Sequence, residues 1–372
     1  MTAVARHIRF LFLCCVVAVL VIGTAVDVWA RLRERAEFDR LEKRYGSLDG
    51  RSIVAPSVAP AENSARFVRA AAALTVRPRS NAGYDTLGRA ATRFEELLDS
   101  SSVPEDVRAW RDANDEAIRL AREAVTRHQA SWDADYASDA NTPRPRDIAT
   151  LASALYLATI LDLKAGHVDE ASRDTTAGLA VAASLRYEPS LALQLIRTAV
   201  AMQQCQAAER LLARSAPSKA ALGDLARALA DNRQTDPMRV ALRAELRFMN
   251  AKLVNAESGP LDRTSRLEYL RQMERLIDTQ SGPRPRPRVP VWSDSWLRDP
   301  RHVASILIPS LERALDDADT YNNVLAVAEI GVAARRFRED RGSYPDDLPA
   351  LAPVYLAHLP IDAVTGAPPF YT

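Results

Sequence analysis

The chain has 372 residues, with 49 Lys and Arg against 48 Asp and Glu, a net charge of +1. That balance argues against a general nucleic-acid binder, whose domains carry a marked basic excess. A composition 47% hydrophobic and 26% charged excludes disordered and collagen-like classes. The 64 Ala and only 13 Gly favour helix and leave few places for phosphate-cradling loops or tight hairpins. The predicted fold class is mainly α. Of the basic residues 45 are Arg, spread along the whole chain as Arg- and Ala-rich codon usage would spread them. Cys14 and Cys15 lie in an apolar run and Cys205 stands alone, so the soluble part has no disulfide available to it.

Phe10 to Val26 (FLFLCCVVAVLVIGTAV) carries no charge and is bounded by Arg9 and Asp27. Its length is at the lower edge of a transmembrane helix. It predicts a single-pass anchor, with a cleaved signal peptide as the alternative, since Ala25 and Ala30 sit at cleavage-like positions. Arg31, Arg33, Arg35, Arg40, Lys43 and Arg44 follow the run, which by the positive-inside rule would hold the bulk in the cytoplasm. They alternate with Glu34, Glu37, Asp39 and Glu42, as on a solvated helix with i,i+4 pairs. Long following domains translocate largely regardless of charge. The expectation is therefore a bacterial inner-membrane protein with its bulk outside the cytoplasm.

After a juxtamembrane helix, Asp27–Tyr45, and a linker to Pro60, the body reads as successive helices. They are Ala61–Thr75, the amphipathic Asp85–Ser100, and Pro104–Gln129 with its acidic first turn. A loop, Ala130–Arg146, holds Trp132, Tyr136, Pro143 and Pro145. Asp147–Lys164, Val168–Arg186 and Pro189–Arg214 follow, broken at Gly166 and at Tyr187-Glu188-Pro189. Small residues such as Ala152, Ala158, Ala171 and Ala177 recur where neighbouring helices would approach. Leu157-x-x-x-Leu161 and Gly166-His167-Val168-Asp169-Glu170-Ala171 resemble the turn and second helix of a tetratricopeptide repeat, with an ordinary helical hairpin as the alternative. Ser218–Ala230, Pro237–Ala256 and Asp262–Thr279 continue the body, the last with a stripe of Leu267, Leu270, Met273, Leu276 and Ile277. Ser281–Pro290 (SGPRPRPRVP) is an extended connector, with Trp292 and Trp296 expected to pin it. Arg301–Asp319 and Tyr321–Asp340 complete the helices. The predicted organisation is an anchor at 1–30, a juxtamembrane helix and linker at 31–60, a helical body at 61–280, a Pro/Arg connector at 281–295, C-terminal helices at 296–341 and an irregular tail at 342–372.

The tail carries the most specific pattern. Gly342 can stop a helix in left-handed geometry, Tyr344-Pro345 sets an extended exit with an aromatic available for packing, and Pro353 and Pro360 forbid helix. Asp346-Asp347 suits a helix cap before Leu348, Asp362 an Asx turn, and Gly366 a positive φ. With Leu351, Tyr355-Leu356, Leu359-Pro360 and Thr365, this ordered set resembles the segment after the long helix of type II secretion pseudopilins. The likeness covers residues 326–372, and it implies a structural role for Gly342, Tyr344, Pro345, Leu348, Tyr355, Pro360, Asp362 and Gly366. The pseudopilin pattern usually has Pro after the Asp, where this chain has Ala363, and the pilin processing site and calcium loop are absent. The longer arrangement, with Ala61–Ala65 (AENSA) ahead of the tail, resembles a group of large membrane-anchored bacterial proteins.

Chemistry-bearing motifs are absent. His7, His128, His167, His302 and His358 make no His-x-x-x-His pair, and there is no Walker, Rossmann or G-x-S-x-G signature. Asp112–Glu116 and Asp316–Asp319 read as solvated helix faces rather than metal loops. No catalytic, cofactor-binding or metal residue is assigned. The sequence predicts a membrane-anchored extracytoplasmic scaffold that contacts the membrane through its N-terminal helix and another protein through its body, with no nucleic acid. The alternatives are an envelope enzyme with a dispersed site, and an accessory of a type II secretion or pilus-like system.

Overall fold

The computed structural model describes residues 3–46, 58–77, 96–134, 141–233, 241–246, 260–281 and 303–371. Ten α-helices are described in full: α1 (Ala3–Tyr45), α2 (Ser64–Leu74), α3 (Glu105–Ala113), α4 (Asp115–Glu123), α5 (Pro145–Ala165), α6 (Val168–Ser184), α7 (Leu191–Arg214), α8 (Lys219–Arg233), α9 (Pro260–Ser281) and α10 (Val303–Arg341). A 3-10 turn follows at Leu348–Leu351. Among the described residues there is no strand, only a bridge pairing Asn63 with Gln129. The mainly α class is thus observed. Most of Asp85–Ser100 and of Pro237–Ala256, and the connector with its two Trp, lie outside the described residues.

The chain divides into two compact units. The first holds α1, α9 and the start of α10. Leu41 and Ala30 on α1 are buried, as is the whole predicted stripe of α9. The charges after the apolar run do more than pair along their own helix. Arg40 bridges Glu37 within α1 and also forks onto Glu274 of α9, which Arg44 meets at 2.5 Å. These two guanidinia, Arg40 first, hold the Glu274 carboxyl below its ordinary range. Tyr45 donates to Asp278 at 2.6 Å. At about 1.5 Å per residue α1 is roughly 65 Å long. Its segment around Val21, Ile22, Val26, Val28 and Trp29 leaves those apolar side chains exposed.

The second unit is built on α5, α6 and α7. Gly166, at φ +81°, closes α5 and turns the chain into α6, and Thr159 meets Thr175 at 3.2 Å across the resulting hairpin. By length and apolarity α5 could cross a membrane, but 61% of its apolar stretch is buried. It packs against α2, α4, α6 and α7 and is a core helix.

Two boundaries differ from the sequence expectation. Pro104–Gln129 is not one helix: it breaks at Asn114. The fully buried Asn114 side chain donates to the Trp110 carbonyl at 2.8 Å, and its own N–H moves to Arg111 at 3.0 Å. Its amide oxygen and nitrogen also take Val76 N–H and C=O, fixing the chain after α2. Conversely, the two C-terminal helices are one continuous helix, within which the Thr320 hydroxyl donates to the Asp316 carbonyl at 3.1 Å.

The AENSA string has a clear local role. The Asn63 side chain caps α2 through Ala65 N–H at 3.0 Å, accepts from Ser131 N–H and donates to Ser131 C=O. Such a cap is worth about 1 kcal/mol. Here it also fastens the loop whose Trp132, buried, donates to Ser184 C=O at 3.0 Å.

Candidate functional site

The last third of α10 carries the tail. Gly342 ends the helix at φ +86°, its N–H on Arg338 C=O at 2.8 Å. Asp347 caps the 3-10 turn through Ala350 N–H, and Leu348 and Leu351 pack with Ala333 and Ala334 of α10. Tyr355 tilts against Phe337 and donates to Asp340 at 3.1 Å. Lys219 and Tyr355 together hold the Asp340 carboxyl below its usual range. Pro360 is buried. Asp362 closes the expected Asx turn on Val364 and Thr365 N–H at 2.9 and 2.6 Å, with Gly366 at φ +73°. These bonds, Thr365 first, lower its pKa. The Asp362 carboxylate also accepts from Asn323 of α10, whose amide oxygen takes Ala363 N–H at 2.6 Å. A proline at position 363 could not make that donation.

Tyr344 behaves otherwise. Its ring is 48% exposed and stands under Arg338 at 5.0 Å, its hydroxyl meeting Arg338 at 3.3 Å. The two arginines Arg338 and Arg335 lower its pKa. Tyr344 is thus not a core aromatic. It and Tyr371, which donates to Pro345 C=O at 3.0 Å, edge a groove of about 750 Å³ between α7 and α10.

The groove exists because small residues face each other there. Ala208 and Ala213 of α7 oppose Ala328, Gly331 and Ala334 of α10, and at Gly331 the nearest atom to a would-be Cβ is a Leu212 methyl at 3.6 Å. Val327, 64% exposed, forms part of the wall. Polar groups are the minority of the lining: Gln206 and Glu209 of α7, Asn323 and Arg335 of α10, and the tail's Tyr344 and Tyr371. Cys205 lines it from beneath, its thiol pushed up to about 12 by burial, which makes it inert filler rather than a nucleophile.

Below the groove, helices are locked by a polar node. The Asn232 carbonyl near the end of α8 accepts from the fully buried Arg197 at 2.7 Å and from Tyr321 of α10 at 3.0 Å. A cation at a helix C-terminus also meets the negative end of its dipole. Arg233 pairs with Glu329 of α10 at 2.7 Å; burial pushes Glu329 up against that attraction.

Structure therefore brings the eight tail residues into one wrap on α10 and assembles no catalytic constellation from them. Among the described residues no three His, Cys, Asp or Glu gather as a metal site. The sequence signal for the groove was the alanine spacing in α7 and α10, which local patterning cannot pair across a separation this long. No family model, no curated protein and no solved structure matches the chain.

Proposed function

We propose that the protein is a membrane-anchored, extracytoplasmic helical scaffold whose α7–α10 groove receives an amphipathic helix of another envelope protein. The observation that carries the reading is the groove itself: ligand-sized, walled largely by carbon, and flanked by helix surface. Helix-in-groove recognition uses apolar anchors at i, i+3, i+4 and i+7. Arg335 and Arg338 at the tail end favour a partner helix with carboxylates at that end. The exposed apolar side chains on α1 support an anchor at the apolar run, and the capped hairpin α5–α6 suits a tetratricopeptide-like scaffold. The tail's resemblance to pseudopilins gives reason to seek the partner among secretion components.

A photo-crosslinker at Val327, used in intact membranes with mass spectrometry, tests the reading. We expect adducts on one helical, acidic segment of a single protein, lost in Gly331→Arg and weakened in Arg335→Glu. Adducts only to lipid, only to a second copy of this chain, or unchanged by both variants would overturn it.

A further inference from the structure

The apolar side chains that α1 exposes follow a rule. From Ala18 they fall at Ile22, Ala25, Trp29, Leu32 and Ala36, in alternating steps of four and three residues along one unbroken helix. All six are exposed, Ile22 at 62%, Trp29 at 55% and Leu32 at 65%. Alternating fours and threes keep side chains on one line of a helix, which is the spacing of a coiled-coil seam. Val21 and Val28, also exposed, widen that line on one edge.

The rest of α1 leaves the seam clear. Ala30 and Leu41, eleven residues apart and so on one face, are buried on the other side of the helix. Asp27, the first charge after the apolar run, lies off the seam and pairs with Arg31 at 2.9 Å. The apolar line therefore crosses from the uncharged run into the charged segment without a break.

Distance decides what covers it. Beyond the hydrocarbon, the headgroup layer adds only about 5–7 Å on each side. Measured from Val26, the end of the apolar run, Trp29 lies about 4.5 Å along the axis, Leu32 about 9 Å and Ala36 about 15 Å. Interfacial lipid can take Trp29, a residue suited to that layer, but Leu32 and Ala36 stand past it. Within the run, Ala18 and Ala25 at alternate seam positions let a second helix backbone approach closely. Two copies anchored in one bilayer run parallel, so the seam meets itself across a two-fold axis.

We propose that α1 pairs with α1 of a second copy of this chain, parallel and in register, along the seam from Ala18 to Ala36. The pairing rests on α1 being the membrane anchor and does not depend on what occupies the α7–α10 groove. Arg33 stands over its own Trp29 ring at 4.8 Å and Arg35 is exposed on the opposite edge. Like charges thus flank the seam in both copies, and the pair should tighten as salt screens them.

The test uses the full chain in membranes, with a photo-crosslinker placed in turn at Ala25, Trp29, Leu32 and Ala36 on the seam and at Asp27 and Arg31 off it. We expect covalent dimers of this chain at the four seam positions, several-fold above the two others. By light scattering in detergent, Leu32→Arg should weaken self-association at least about tenfold, through the lost burial of one Leu per copy. Leu32 is largely exposed in the single chain, so this variant spares the fold, and Arg31→Ala should leave association unchanged. Adducts only to lipid, adducts to a different protein, or equal dimer yields on and off the seam overturn the proposal. Carbonate extraction of the same membranes separates the two ways of failing. Protein released by carbonate overturns the anchor and the pairing together, whereas retained protein without seam-specific dimers overturns the pairing alone.

Discussion

Gly178, in the middle of α6, is where α7 comes closest. A Cβ there would lie 2.6 Å from both Cγ and Oε1 of Gln204, inside van der Waals contact. Gln204 has no solvent to swing into: it is fully buried and its amide donates to Ala152 C=O of α5 at 3.2 Å. Gly178→Ala therefore combines two opposing effects. Helix propensity favours Ala by about 1 kcal/mol, while overpacking costs about 1–3 kcal/mol. The net expectation is a loss of up to about 2 kcal/mol. Gln204→Ala vacates the space, so in that background only the propensity gain remains and Gly178→Ala becomes stabilising by up to about 1 kcal/mol. The sign inverts between backgrounds, and the double-mutant cycle should show a coupling of roughly 1–3 kcal/mol. Denaturant and thermal melts of the four proteins read it, at about 2–4 °C per kcal/mol for a unit of this size. An equal effect of Gly178→Ala with and without Gln204 would refute the steric account.

Other expectations concern charge and the tail. Burial pushes the Asp174 carboxyl up to about 6 despite its bond to Arg122, with Asp162 adding to the rise. The folded chain keeps this proton after the unfolded chain has released it near pH 4, so its stabilising contribution is full below about pH 4 and lost as pH rises through about 6. Asp174→Asn should accordingly flatten the fall in melting temperature between pH 4.5 and 7; parallel wild-type and variant curves would end that reading. Ala363→Pro removes the N–H that meets Asn323 and should raise protease cleavage within residues 360–371 while α5–α8 stay resistant. Leu351→Ala, at a fully buried site, should cost about 2–5 kcal/mol. Tyr344→Ala, half-exposed, should stay within about 0.5 kcal/mol, since its ring packs on Arg338 and edges the groove; thermal melts that rank the two variants in the opposite order would contradict the described tail.

Local rules made much of the tail and helix plan readable. Gly166 and Gly342 adopt positive φ where helices had to stop, and Asp362 and Gly366 form the expected turn because each needs only its near neighbours. The α9 stripe is buried because 3.6-residue spacing alone places it on one face. Asn114 escaped notice because apolar spacing continues across it; the available sign was a polar residue on that apolar stripe, which is helix-breaking once Val76 and Trp110 occupy its amide. The groove was not legible, because its walls come from segments far apart in sequence, Met202 to Ala213 on one side and Asn323 to Arg335 on the other. Asn63 was visible as part of a motif, but its three-way clamp depends on a loop 68 residues away.

The oxygen of Asn232 is shared by donors from α7 and α10, and this bears on how the unit opens. Helix ends usually fray first, each on its own. The last turn of α8 has no such freedom, since unwinding it would take a hydrogen bond from the buried Arg197 guanidinium and release Tyr321 in the same event. Exchange of the amides at the end of α8, around Arg197 of α7 and over residues 321–329 of α10 should then be a joint event, slow and shared, even though these stretches lie far apart along the chain.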